Sequence, residues 1–197
     1  VDLCLDIINQ LLHKYSKPQI DLDTYQHHFT FPVETYYQKI GFDFGETPFQ
    51  QVGSEWMDAY SQRWRECSLQ PEAQEVLTAI RQANINQAIV SAMDINLLRT
   101  SAQYYNVLNF FLALRGLDHH YADGKMEIAE KFVRSFELDA SKMLFVGDTT
   151  HDFEVAQAVG AECVLFYSGH HSKKKLKACK APVVETLTDV LNFIPLK

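Results

Sequence analysis

The apolar positions of the first third of the chain recur every three or four residues. In "DLCLDIINQLLHKY", Leu3, Ile7 and Leu11 fall on one line and Leu5, Ile8, Leu12 and Tyr15 on the next, which predicts an amphipathic helix ending before Pro18. The same spacing continues in "PVETYYQKI" and "FQQVGSEWMDAYSQRWREC". From Pro71 the pattern alternates. "PEAQEVLTAIRQAN" predicts a helix with proline at its start, and "QAIVSA" a short apolar strand. The helices "INLLRTSAQYY" and "KMEIAEKFVRSF" follow, then the strand "MLFVG", the helix "HDFEVAQAV" closed by Gly160, the strand "CVLFY", and "PVVE" before a last helix. Strands that alternate with helices at this spacing form a parallel sheet with helices on its faces. The expected fold class is therefore α/β: a doubly wound parallel sheet over residues 68–197, with a smaller all-helical cap domain over residues 1–67.

Composition narrows the function classes. With 197 residues, 47% of them hydrophobic and 22% charged, the chain can bury one domain core and a smaller insertion. Its longest apolar stretch, "VLNFFLAL", is far short of the roughly 18 residues a membrane span needs. No basic region precedes the apolar residues of the first helix, so no secretory signal is expected and a cytoplasmic location follows. The net charge of −7 argues against a nucleic-acid partner, which would require a basic face. Cys4, Cys67, Cys163 and Cys179 are scattered, as reduced thiols would be. The cluster "KKKLKACK", Lys173 to Lys180, reads as a solvated helix face. The pairs His27/His28, His119/His120 and His170/His171 make poor chelates, because adjacent side chains point apart; they read as surface or loop histidines.

Candidate chemistry gathers where the strands end. In a doubly wound sheet ligands sit beyond the carboxyl ends of the strands. Ser91 closes "AIVS" and Asp148 follows "LFVG", so a hydroxyl and a carboxylate are expected at one edge, with Gly147 permitting a tight turn. Asp152 lies in the first turn of the next helix, near enough to Asp148 to share a hard cation. Such a pair suits Mg²⁺, which takes few carboxylates and retains waters that a substrate phosphate can displace. The same acids would also serve as turn and cap residues, Ser91 as an N-cap, and Lys125 alone as a surface lysine.

The ordered set "VSAMD" around Ser91, "GKMEIAEKF" around Lys125 and "VGDTTHDFEVA" around Asp148 resembles the second, third and fourth motifs of the haloacid dehalogenase superfamily. The continuation "AQAVGAECVLFYSGHHS" and the early "FPVETYYQKIGFDF" are similar to phosphoglycolate-phosphatase-type members with a helical cap. The resemblance spans the chain and implies a Rossmann-like core, a Mg²⁺ cofactor, and hydrolysis of a small phosphorylated metabolite through an aspartyl-phosphate. On that basis Asp148 would hold Mg²⁺, with Asp152 as ligand or orienter. Lys125 would offset charge on the phosphoryl group or nucleophile, and Ser91 with the backbone N–H of Ala92 would donate to a phosphoryl oxygen. Phe31 and Pro32, in a break between cap helices, are candidates for substrate contact. No membrane or nucleic-acid partner is implied, and the oligomeric state is open.

One element of the resembled pattern is not matched. The family's first motif is an apolar strand ending in Asp-x-Asp-Gly-Thr, which supplies the nucleophile. "QIDLDTY" imitates it, but the polar "HKYSKPQ" before it cannot be a buried strand, so Asp21 and Asp23 read as turn or cap residues opening a helix. The expectation is about 10 to 20 further residues before Val1, a strand and a nucleophile loop, lying in the sheet between the strands of Ser91 and Asp148. The alternatives are a non-catalytic relative that binds a phosphorylated ligand or protein partner, and a phosphomutase.

Overall fold

The computed structural model describes residues 1–117, 124–167 and 169–195. The chain divides into two compact units, one of Val1–Ser68 with His170–Ser172, the other of Leu69–Gly169 with Lys173–Lys197. The first boundary lies one residue beyond the expected one, and residues 170–172, expected with the α/β part, group with the helices. The pair His119/His120 lies outside the described residues.

The helical unit contains α1 (Asp2–Lys14), α2 (Leu22–His28), α3 (Val33–Lys39) and α4 (Phe49–Arg63). Helix α1 turns Leu3, Ile7, Ile8, Leu11 and Leu12 inward as its periodicity predicts, with Cys4 buried beside them and Leu5 and Tyr15 only half-buried, and packs along α4. Asp21 caps α2: its carboxylate accepts from the Thr24 N–H at 2.8 Å, so "QIDLDTY" is a helix start. Tyr25, Tyr36, Tyr37, Phe42 and Val52 complete one continuous core. Within it the Tyr36 hydroxyl is buried without a hydrogen-bond partner among the described residues.

The α/β unit runs α5 (Ala73–Gln82), β1 (Ala88–Asp94), α6 (Ile95–Tyr104), β2 (Ala113–Leu117), α7 (Lys125–Ser135), β3 (Leu144–Gly147), α8 (Thr150–Val159), β4 (Glu162–Phe166), α9 (Lys173–Lys177) and β5 (Val183–Val184). The expected last helix is a 3₁₀ segment, Thr188–Phe193. Strand β2 carries no clear pattern in the sequence, because "ALRGL" holds an arginine and a glycine. Arg115 is accommodated over the rings of Phe132 and Phe136, at 5.6 and 5.4 Å, and Gly116 lies where the backbone of Met93 and Ile95 leaves no room for a Cβ. No helix among the described residues is long and apolar enough to cross a membrane.

All strand pairs are parallel, but the described strands form two sheets, β1-β2 and β3-β4-β5. Helix α7 packs on β1 and β2, α8 on β3 and β4, and the two helices pack on each other. Strands β1 and β3 are each paired along one side only among the described residues. The register of β1 with β2 shifts between Val90 and Asp94, taking residues 91–93 out of the regular ladder.

Candidate active site

Three elements of the α/β unit bring their charged residues together. Asp148 follows the last residue of β3, and the chain then turns directly into α8. Thr149 caps that helix in a reciprocal capping box with Asp152: the Asp152 N–H donates to Thr149 Oγ1 at 3.3 Å. In return, Asp152 Oδ2 accepts from the N–H groups of Asp148 (3.0 Å) and Thr149 (2.9 Å) and from the Thr149 hydroxyl (2.7 Å). The other oxygen, Oδ1, is ion-paired with Lys125 Nζ from the first turn of α7.

Asp152 thus has both oxygens engaged within the protein, and it is 4% exposed. Burial pushes its carboxyl up, but the Lys125 charge and the hydrogen bonds from Lys125 and Thr149 outweigh it and hold the group below the ordinary carboxylate value. Of the two roles the sequence left open for this residue, its contacts suit the orienting one. Lys125 is pinned by a single acceptor in Asp152, and an ammonium has three donors to distribute.

Space as well as charge is fixed here. A Cβ on Gly147 would run into the Asp152 side chain. Gly147 was expected to serve a tight turn, but its φ lies outside the left-handed range that favours glycine, and the requirement is room for Asp152. Gly169, beyond the end of β4, is buried with no room for a Cβ because the Asp148 carboxylate occupies that space. Burial, with the Asp152 charge beside it, pushes the Cys163 thiol of β4 up to about 12, so it stays protonated.

Ser91 lies in β1 at the start of the irregular stretch, and its Oγ accepts from the Met93 N–H at 3.1 Å. It does not cap the following helix. Asp94 does, accepting from the N–H groups of Asn96 (2.9 Å) and Leu97 (3.0 Å). Ala92 falls within the same out-of-register stretch. Phe31 and Pro32 belong to the helical unit, Phe31 edge-on to Phe29 with centroids 5.5 Å apart and Pro32 as the N-cap of α3.

Thr149 and Gly169 were not singled out from the sequence. The signal for Thr149 was present, as "TTHD" has the Thr-x-x-acid spacing of a capping box. Nothing local marks Gly169, whose role comes from a residue 21 positions away. The histidine pairs are not uniformly superficial either. His27 is exposed, whereas His171 is 1% exposed.

Among the described residues no three His, Cys, Asp or Glu side chains converge as a metal cage. A candidate donor is Asp148, whose hard carboxylate lies against Gly169 and whose N–H bonds to the Lys125-paired Asp152. That chemistry fits Mg²⁺, which is commonly held by one or two carboxylates, waters and substrate phosphate.

Parallel strands joined through helices, with acids and a lysine beyond the carboxyl end of β3, define an α/β architecture of the ligand-binding kind. The chain belongs to the haloacid dehalogenase-like hydrolase family, whose profile matches residues 1–166. It is similar in structure to a haloacid dehalogenase-like family protein from Streptococcus pneumoniae, with a TM-score of 0.83 and 14% identity over 97% of this chain and 90% of that one. A predicted phosphoglycolate phosphatase from Haemophilus somnus matches at 0.72 and 18% identity, covering 98% and 90%. The protein tyrosine kinase PtkA of Mycobacterium tuberculosis matches at 0.80 and 16%, covering 98% and 90%. At these identities the likeness is one of fold. None of the curated proteins matches this chain.

Proposed function

We propose that the chain carries the helical cap and most of the phosphate site of a Mg²⁺-dependent phosphatase acting on a small phosphorylated metabolite, a phosphoglycolate-like monoester. The observation that carries this reading is the cluster at the end of β3, where Asp152 ion-pairs with Lys125 and also accepts from the N–H of Asp148. A phosphomonoester dianion needs that combination, a fixed cation for its oxygens and a carboxylate to hold a counter-ion. Bound Mg²⁺ would offset charge between an anionic nucleophile and the phosphoryl group. Lys125 has donors left for a phosphoryl oxygen after meeting Asp152. Ser91 and the Ala92 N–H lie where β1 leaves its ladder, so their donors are not committed to the regular register. Phe31 and Pro32 of the helical unit remain the candidates for substrate contact.

The nucleophile in this reading is a carboxylate on a further parallel strand that pairs with the open sides of both β1 and β3. Two features support an occupant there. Val146 in β3 is 45% exposed, against 1% for Val164 in the neighbouring β4. The buried apolar residues of the unit also gather into separate clusters, Leu98, Ala102, Val107 and Leu114 around β2, and Val164, Phe166, Val184 and Val190 around β4. A doubly wound domain ordinarily has one contiguous core. A strand between β1 and β3 would join them.

Hydrolysis of a panel of phosphomonoesters, phosphoglycolate among them, by the polypeptide bearing that strand tests the reading. Turnover should require Mg²⁺, Asp148→Asn should abolish Mg²⁺ binding, and Lys125→Ala should lower kcat by roughly 10²-fold or more. Absence of Mg²⁺-dependent turnover on every ester would overturn it. Tight binding of an ester without turnover would move the chain to the non-catalytic class.

A further inference from the structure

The two oxygens of Asp152 are held in different ways. Its Oδ1 meets the Lys125 ammonium, whereas Oδ2 takes three donors: the N–H groups of Asp148 at 3.0 Å and Thr149 at 2.9 Å, and the Thr149 hydroxyl at 2.7 Å. The N–H groups come with the turn after β3, and the hydroxyl is the side-chain donor among the three. The terminal torsion of an aspartate is broad and roughly two-fold, so nothing within Asp152 itself decides which way its oxygens face. The donors on Oδ2 decide it, and Oδ1 is turned to Lys125 as a result. Thr149 is suited to that task. It is 5% exposed, and its branched Cβ restricts its rotation. Its one oxygen accepts from the Asp152 N–H at 3.3 Å and also donates its hydrogen to Oδ2. Capping α8 requires only the first of these bonds, which asparagine, aspartate or serine would supply as well as threonine.

We propose that Thr149 is a positioning residue for the phosphate site: its hydroxyl fixes the carboxylate plane of Asp152, which in turn holds the Lys125 ammonium where its remaining donors can meet a phosphoryl oxygen. The proposal rests on the reading of Lys125 as the phosphate-binding cation. The physical reason is order established in advance. A lysine ammonium sits on a flexible four-carbon stem, and a cation already fixed binds an anion without a further loss of rotamer freedom. The path is short, one hydrogen bond and one ion pair, and lies wholly within the α/β unit, where α7 and α8 pack on each other. Gly147 belongs to the same arrangement, because a Cβ there would displace the Asp152 carboxylate from its plane. What separates this role from capping is that a single atom accepts and donates. An asparagine carries its acceptor and its donors on different atoms, so it can cap α8 without supplying a hydrogen to Oδ2 from the same point.

The test uses the polypeptide that carries the nucleophile strand, with Thr149→Val, Thr149→Asn and Thr149→Ser. Inorganic phosphate is the probe: its affinity is measured by calorimetry, and the ¹⁵N resonance of Lys125 Nζ is followed in ligand-free protein. Thr149→Val, which removes the hydroxyl at nearly constant shape, should weaken phosphate binding about 10-fold, the scale of losing one hydrogen bond to a charged group, and should displace the Lys125 resonance. Thr149→Asn should do the same at a melting temperature close to that of the wild type, because the cap is kept. Thr149→Ser should recover most of the affinity. Wild-type phosphate affinity in Thr149→Asn would overturn the proposal and leave Thr149 as a helix cap; should Thr149→Val fail to fold, the asparagine variant decides alone. If the wild type does not bind inorganic phosphate, the functional reading fails and the Lys125 resonance decides the positioning role separately: a displaced signal in Thr149→Asn supports it, and an unchanged one overturns it.

Discussion

In the helical unit, side chains from all four helices meet in one cluster, with Ile8, Leu12 and Val52 withdrawn from solvent and the rings of Tyr25, Tyr36 and Tyr37 closing around them. In the α/β unit the buried side chains divide between the two sheets, and the strands that flank the division, β1 and β3, are less buried than their outer neighbours β2 and β4. That order is the reverse of an intact doubly wound sheet, whose central strands are covered on both faces. The difference teaches that local pattern and completeness of packing are separate properties. Both units have correctly patterned elements, but only the helical one closes its core among the described residues.

The largest test of this contrast deletes matched apolar groups on each side of it. Leu12→Ala removes a fully buried side chain from a closed core and should cost about 2–5 kcal/mol. Val146→Ala removes atoms that are already partly in water and should cost no more than about 0.5 kcal/mol. Denaturant titrations of the two variants measure both. Equal losses would mean that β3 is as tightly packed as α1, and the case for an occupant beside it would weaken. With that strand present, the cost at Val146 should rise.

A somewhat smaller effect is expected where the α/β unit is closed, at the start of α8. Asp152→Ala removes the capping box and leaves the Lys125 ammonium, whose side chain is 16% exposed, without its acid. Breaking one side of a largely buried pair should destabilise by about 3 kcal/mol. Asp152→Asn retains an acceptor for Thr149 and should lose less. A negligible change in thermal unfolding of Asp152→Ala would show that the ion pair is solvated, and would remove the argument that Asp152 orients Lys125.

How far these features could be read from the sequence depends on how local their causes are. Helix α1, with its six inward apolar residues, and α8, with a Thr-x-x-Asp start and Gly160 in the left-handed conformation at its end, are specified by neighbours within one or two turns. Asp148 was placed from the same local pattern, at a strand end, whereas Lys125, which alone reads as a surface lysine, was singled out only by the resemblance of its motif. Strand β2 was not, because Arg115 is accommodated there by the rings of Phe132 in α7 and Phe136 at its C-cap. Gly169 and His171 were missed for the same reason. Their constraints come from Asp148 and from the carbonyl of Phe29, which lie far along the chain. The division of the sheet likewise depends on which strands pair, and no single strand's pattern carries that information.

The smallest expected effect separates the two units by pH. In the α/β unit the Asp152 carboxyl is held below its ordinary value, so it adds stability above the unfolded value of about 3.9, and that contribution is lost as pH falls through the folded one. Two buried phenols of the helical unit carry the opposite sign. Burial, then the neighbouring Tyr37 and Cys4, pushes the Tyr36 phenol up, and burial and Cys4 push Tyr37 up. A phenol raised in the folded state contributes fully below the unfolded value of about 10, and the contribution is lost as pH rises toward the folded value. Asp152 therefore makes the α/β unit acid-sensitive, and the two phenols make the helical unit alkali-sensitive, alongside the Cys163 thiol of β4, whose raised value carries the same alkaline sign. Both tryptophans, Trp56 and Trp64, lie in the helical unit, so selectively excited tryptophan fluorescence follows that unit, while the methyl resonances of Val164 and Leu165 follow β4. Below about pH 4 the methyl signals should lose their dispersion at lower denaturant, and above about pH 10 the tryptophan emission should change at lower denaturant. Asp152→Asn, which cannot titrate, should flatten the acid limb, and Tyr37→Phe the alkaline one. Coincident transitions at both extremes would mean that the units unfold as one, and the contrast between a closed and an open core would have no thermodynamic counterpart.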